Sequence, residues 1–141
     1  MLHDLLRDSL REYSQEGYQY MNEEQPENMQ MIEDWLDNQQ IFLDFNLYRR
    51  TDYEPYLSLQ EGETILLDRV TSWSSSEEIP DDIYENISSV KFVLLANNRN
   101  ITGANMEEYS FWGSDEGEIL LPPTIIKVDK QIGDILYVSL L

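Results

Sequence analysis

The spacing of apolar residues changes period near residue 40, and that change constrains the fold of this chain more than any other feature. Before it, Leu2, Leu5, Leu6, Leu10, Tyr13, Tyr20 and Met21 recur mostly at three- and four-residue steps, which lines them along one stripe of an amphipathic helix. The spacing predicts a first helix over roughly the opening twenty residues, with Gly17 its weak point because glycine is costly in a helix interior. A polar break over 22–27 follows, and Pro26 suits the first turn of a second helix, where a missing N–H costs nothing. Its apolar positions are Met29, Ile32, Trp35 and Leu36. Beyond the change, Phe42, Leu43, Asp44, Phe45, Asn46, Leu47 and Tyr48 mix apolar and polar residues as a half-buried strand does, predicting a strand over 41–48. Further strands are expected over 64–71, 88–96, 118–121, 124–129 and 134–140. No long helical crossover separates them, so the expected fold is α+β, with N-terminal helices followed by a mainly antiparallel sheet.

At 141 residues the chain has the size of one average domain, expected to be helical over 1–40 and β-rich over 41–141. The run 72–78, rich in serine and acid, is expected to be a loop inside it. The 28 acidic residues against 9 Lys and Arg leave a formal charge of −19. Such a surface repels nucleic-acid phosphates and anionic lipid, so direct nucleic-acid binding and membrane attachment are disfavoured and a basic partner is favoured. Solubility alone accounts for the acidity equally well. With no cysteine there is no disulfide, thiolate metal site or cysteine nucleophile. The opening residues carry acids among their leucines and lack a long apolar run, which reads as neither secretory signal nor membrane anchor; a cytoplasmic location is the expectation. The single histidine, His3, suggests no metal site or catalytic triad, and no calcium-loop spacing is visible, so no metal is expected.

Three short segments carry possible chemistry. Leu47, Tyr48, Arg49 and Arg50 stand at the expected end of the first strand, where a guanidinium offers a rigid fork of donors to phosphate or carboxylate; a surface salt bridge is the simpler account of the pair taken alone. Val70, Thr71, Ser72, Trp73 and Ser74 follow an apolar run. On a strand the hydroxyls of Ser72 and Ser74 share one face and Trp73 takes the other, although a serine-rich turn explains the segment by itself. Glu116 and Glu118, two apart around Gly117, lead into Ile119, Leu120, Leu121, Pro122 and Pro123, with Tyr109, Ser110, Phe111, Trp112 and Gly113 upstream. Both glutamates project onto one face of a starting strand, with the prolines ending it.

Taken together, an aromatic-Arg, then a Ser-x-Ser after an apolar strand, then a Glu-x-Glu running into an apolar triplet and Pro-Pro resemble the mono-ADP-ribosyltransferases of the arginine–serine–glutamate class, the toxin and ecto-enzyme type. The resemblance covers residues 47 to 141, and the Glu-x-Glu segment is its most specific part. Two departures stand out: Arg50 follows Arg49 where the family has glycine, which leaves open which arginine is meant, and Trp73 replaces the usual threonine between the serines.

The resemblance implies an enzyme that takes NAD as substrate, releases nicotinamide and transfers ADP-ribose to a target protein, as effectors or toxins of bacterial or phage origin do. It implies that Arg49, with Tyr48, Ser72 and Ser74, holds NAD; that Arg49, Ser72, Glu116 and Glu118 form the catalytic set; and that Tyr109, Phe111, Trp112 and Glu116 meet the acceptor. Glutamate at position 116 implies an arginine acceptor on a basic partner. Two rivals remain: a non-catalytic acidic protein that imitates nucleic acid or inhibits a basic enzyme, and an NAD glycohydrolase on the same fold.

Overall fold

A computed structural model describes residues 2–109 and 117–141, with side chains from residue 4 onward. Helix α1 (Leu2–Glu24) packs on helix α2 (Pro26–Leu36). Gly17 sits inside α1 at φ 86°, ψ 176°, a conformation that glycine adopts without steric penalty and that breaks the helical phase. The break divides the apolar stripe: Leu10, Tyr13 and Met21 are buried, whereas Tyr20, beyond the kink, turns outward, and Leu6 takes the inward place that leaves Leu5 exposed. Pro26 occupies the first turn of α2, and Met29, Ile32 and Leu36 bury its inner face.

The expected strand over 41–48 is two strands. β1 (Gln40–Phe42) ends where the chain turns, and β2 (Leu47–Thr51) begins after it. Asp44, Phe45 and Asn46 make the turn, held by the Leu43 carbonyl, which accepts from the Asn97 and Asn98 N–H groups, and by Asn46 Oδ1, which accepts from the Ala96 N–H. Arg49 therefore lies in the middle of a strand, not at its end.

The expected strand over 64–71 also divides, into β3 (Thr64–Leu67) and β4 (Thr71–Ser74). Ser72, Trp73 and Ser74 are thus strand residues. The loop expected over 72–78 shrinks, and a short helix, α3 (Glu78–Ile83), follows it. β5 (Val90–Leu94), β8 (Glu118–Leu121), β9 (Thr124–Ile132) and β10 (Ile135–Leu140) stand close to their expected positions; β6 (Asn100–Thr102) and β7 (Ala104–Asn105) are additional.

Among the described residues eight strands run in the order β3-β9-β10-β5-β2-β4-β8-β7, and β1 pairs separately with β6. All pairs are antiparallel except β5 with β10. Only one register pair, Tyr48 with Ser74, joins β2 to β4, so the sheet is nearly parted there. Side chains from both sides of this seam meet in one apolar cluster, with Leu47, Phe92, Val128 and Leu136 on one side and Trp73, Ile119 and Leu121 on the other. The alternate residue Leu120 instead joins Leu10, Tyr13, Met29 and Ile32, so the two N-terminal helices cover the other face of β8. Every residue of β8 is buried. At roughly 1.5–3 kcal/mol for each buried aliphatic side chain, this strand is anchored from both faces. None of the described helices is long and apolar enough to cross a membrane.

Candidate active site

The seam between β2 and β4 is where the chemistry-bearing side chains meet. β4 pairs with β8 in a register that sets Ser74 opposite Glu118 and Ser72 opposite Leu120, so the two serines and the glutamate share a face while Trp73 and Ile119 take the opposite one. Trp73 is buried against Phe92, and its Nε1 donates to Thr71 Oγ1 at 2.7 Å, satisfying the indole inside the core. The alternation expected from the Ser-x-Ser spacing is present.

Glu118 is 6% exposed, and Ser72 Oγ donates to its Oε2 at 2.5 Å. A hydroxyl that donates to a carboxylate oxygen helps to orient that carboxylate. The backbone around it is equally constrained: Met106 N–H donates to the Glu118 carbonyl at 2.9 Å and Ser75 N–H to the Gly117 carbonyl at 3.0 Å. Gly117 turns into the strand at φ 55°.

Arg49 Nη1 donates to the Ser72 carbonyl at 2.9 Å, which ties the guanidinium to the strand that carries the serines. Burial lowers its pKa from the ordinary arginine value, opposed by the nearby Tyr13, Tyr84 and Tyr56. A guanidinium remains protonated at neutral pH all the same. Among the described residues Arg49 is in no ion pair, so it is a partly buried cation that faces the cleft without a carboxylate in direct contact. Arg50 is differently placed: its Nε meets Asp81 at 2.7 Å, and its Nη1 meets Asp134 at 3.0 Å and Ser89 Oγ at 3.2 Å. The choice between the two arginines that sequence left open is thus one between a guanidinium already committed to carboxylates and one that is not.

A cleft of about 230 Å3 is lined by Tyr48, Arg49, Arg50, Ser72, Ser74 and Glu118. Ser74 Oγ also accepts from the Ser76 N–H at 3.0 Å. Tyr109 is half-buried, edge-on to Trp35 of α2 with ring centroids 5.6 Å apart. Phe111, Trp112 and Glu116 lie outside the described residues. Among the described residues no group of three or more acidic or histidine side chains is arranged to hold a metal ion.

Two parts of the site escaped the sequence reading. The far wall of the cleft is α3, through Ile79, Pro80, Ile83 and Tyr84. Its signals were the four-residue step from Ile79 to Ile83 and a proline in the first turn, too short a pattern to separate from a loop. Tyr13 is the other. Its spacing on α1 marks it as core, yet it is buried close enough to Arg49 and Glu118 for both to act on its hydroxyl; burial raises its pKa, Arg49 opposes that and Glu118 adds to it.

No family model and no curated protein matches the chain. Solved structures do match it along nearly its whole length. C3stau2 from S. aureus, solved with NAD, has a TM-score of 0.74 at 10% identity, covering 98% of this chain and 87% of its own. The ADP-ribosyltransferase Vis, solved with agmatine, has a TM-score of 0.64 at 14% identity over 96% of this chain and 72% of its own. The catalytic domain of VahC from Aeromonas hydrophila has a TM-score of 0.60 at 14% identity over 97% of this chain and 98% of its own. At such identities the likeness is one of fold.

Proposed function

We propose, from the premise that this chain has the ADP-ribosyltransferase fold, that it is an NAD-dependent mono-ADP-ribosyltransferase that modifies arginine on a target protein. The observation that carries this reading is the convergence of three side chains distant in sequence on one cleft: Ser72 Oγ lies 2.5 Å from Glu118 Oε2, and Arg49 Nη1 lies 2.9 Å from the Ser72 carbonyl.

Each group has a task that its surroundings suit. The Arg49 guanidinium holds the NAD diphosphate, supplying a local counter-charge in a protein of net charge −19. Surface carboxylates farther off than a Debye length of ~8 Å oppose it little. The described part of the cleft takes the nicotinamide ribose, with Tyr48 and Ser74 beside it and the adenosine extending outside. Glu118, held by Ser72, accepts a hydrogen bond from a ribose hydroxyl and sets its negative charge beside the cation that forms as the C1′–nitrogen bond breaks. Nicotinamide leaves with the bonding electron pair. A guanidine nitrogen of the acceptor then attacks C1′ and loses a proton, for which Glu116 is the base. Agmatine, found with Vis, carries the same guanidine group as arginine, which supports that acceptor. Tyr109, Phe111 and Trp112 offer ring surface to the partner, and the acidic exterior attracts a basic one in the cytoplasm of the producer or of a host cell.

Incubation with labelled NAD and a cell lysate tests the reading. Label should appear on protein with the wild type, and Glu118→Gln should lower the rate by at least a few hundredfold, or roughly 3–4 kcal/mol of barrier. Free ADP-ribose without labelled protein would instead identify a glycohydrolase. Neither product, at protein concentrations that saturate a relative of this fold, would leave the acidic binding protein as the answer.

A further inference from the structure

Arg50 and Lys91 are register partners on β2 and β5, so two cations stand side by side across the sheet. Like charges in that position repel, and Lys91 is only 5% exposed, so both need anions at close range. One carboxylate serves both: Asp81 Oδ1 lies 2.7 Å from Arg50 Nε, and Asp81 Oδ2 lies 3.2 Å from Lys91 Nζ. Glu77 adds a second contact to Lys91 at 3.0 Å. Glu77 and Asp81 are four residues apart, so they project from one side of α3 and the turn before it.

Little else among the described residues holds this helix. It is six residues long, has no side-chain cap, and buries only Pro80, while Ile83 is 61% exposed. So short a helix is unstable by itself. Yet Ile79, Ile83 and Tyr84 form one wall of the cleft that contains Arg49 and Glu118.

We propose that Asp81 is a positioning residue whose double bridge to Arg50 and Lys91 clamps α3 to the sheet and thereby sets the wall against which the dinucleotide binds. The clamp explains why a second arginine follows Arg49: it holds the wall while its neighbour faces the ligand. The consequence for the ligand rests on the transferase reading above; the clamp itself does not.

Amide hydrogen exchange over 77–85 separates the two. In Asp81→Asn, exchange there should quicken by roughly tenfold or more, recover in Asp81→Glu, and quicken to a lesser degree in Glu77→Gln, with the rest of the sheet unchanged. In the same variants the KM for NAD should rise roughly tenfold in Asp81→Asn with kcat within about twofold, because the bound state draws on a smaller competent population, and should return in Asp81→Glu. Unchanged exchange in Asp81→Asn overturns the clamp whatever the protein does with NAD. Quickened exchange with an unaltered KM overturns its role in the cleft. A wild type that binds no NAD refutes the transferase reading and the cleft role together, while the exchange data still decide the clamp.

Discussion

Arg49 and Arg50 are neighbours with the same side chain, and the strand that carries them gives them different work. Both border the cleft, but one guanidinium donates to the Ser72 carbonyl and the other to Asp81, Asp134 and Ser89. Arg50 is a counter-ion to acids that the chain itself supplies, whereas Arg49 meets none among the described residues. A fork of N–H groups suits a diphosphate better than a single ammonium does. Replacing Arg49 by lysine keeps the charge and removes the fork, so the KM for NAD should rise roughly tenfold, about 1.4 kcal/mol, with a smaller change in kcat. Steady-state kinetics at varied NAD concentration check this, and an unchanged KM would mean that the diphosphate is held elsewhere. Residue types and order pointed to one of Arg49 and Arg50, to Ser72 and to Glu118. Which of the two adjacent arginines is paired with carboxylates was not legible, because that depends on acids 31 and 84 positions away along the chain.

At the scale of elements, β8 joins the site to the core. Leu120 packs on the helices and Ile119 and Leu121 in the sheet interior, so Glu118 is delivered by a strand held from both sides. Gly117 is the point at which this delivery is most sensitive. Its φ of 55° is a left-handed conformation, and an added Cβ would stand 2.3 Å from Ser75 Oγ. Gly117→Ala should therefore cost roughly 1–2 kcal/mol of stability by denaturant unfolding, and turnover should fall further because the next residue is Glu118. Adding Ser75→Ala removes the clash but not the backbone strain, so it should restore activity more than stability. If Gly117→Ala is silent in both measurements, the turn is looser than this geometry requires. Element types were readable where the periodic pattern was long, as in α2 and β9. The turn at 44–46 was missed because Asp44 and Asn46 resemble the polar positions of an alternating strand, and only their bonds to the segment 96–98 show a break. Helix α3 was missed because six residues give too little periodicity to outweigh a serine- and acid-rich context.

For the whole molecule the charge of −19 sets the terms. Carboxylates crowded on a chain of 141 residues repel one another, which opposes the compact state at low ionic strength. Raising salt from about 0.01 M to about 1 M shortens the screening length from ~30 Å to ~3 Å, so the thermal midpoint should rise by several degrees across that range. A falling midpoint would mean that the ion pairs around Arg50 and Lys91 outweigh the surface repulsion. Transfer to a basic target should move the other way and slow with salt, since screening removes the steering of the encounter.

The order of helices before strands, the apolar face of α2 and the placing of Glu118 at the start of a strand were determined by the sequence, because each follows from periodicity and side-chain type within a short window, whereas the strand that carries Ser72, Trp73 and Ser74 rests on its pairing with β8. Only the tertiary structure decided that β2 and β4 meet at a single pair, that Arg50 is committed to Asp81 and Asp134, and that α3 closes the far side of the cleft. Those facts depend on which distant segments become neighbours, and that choice is made by the packing of the whole chain rather than by any stretch of it.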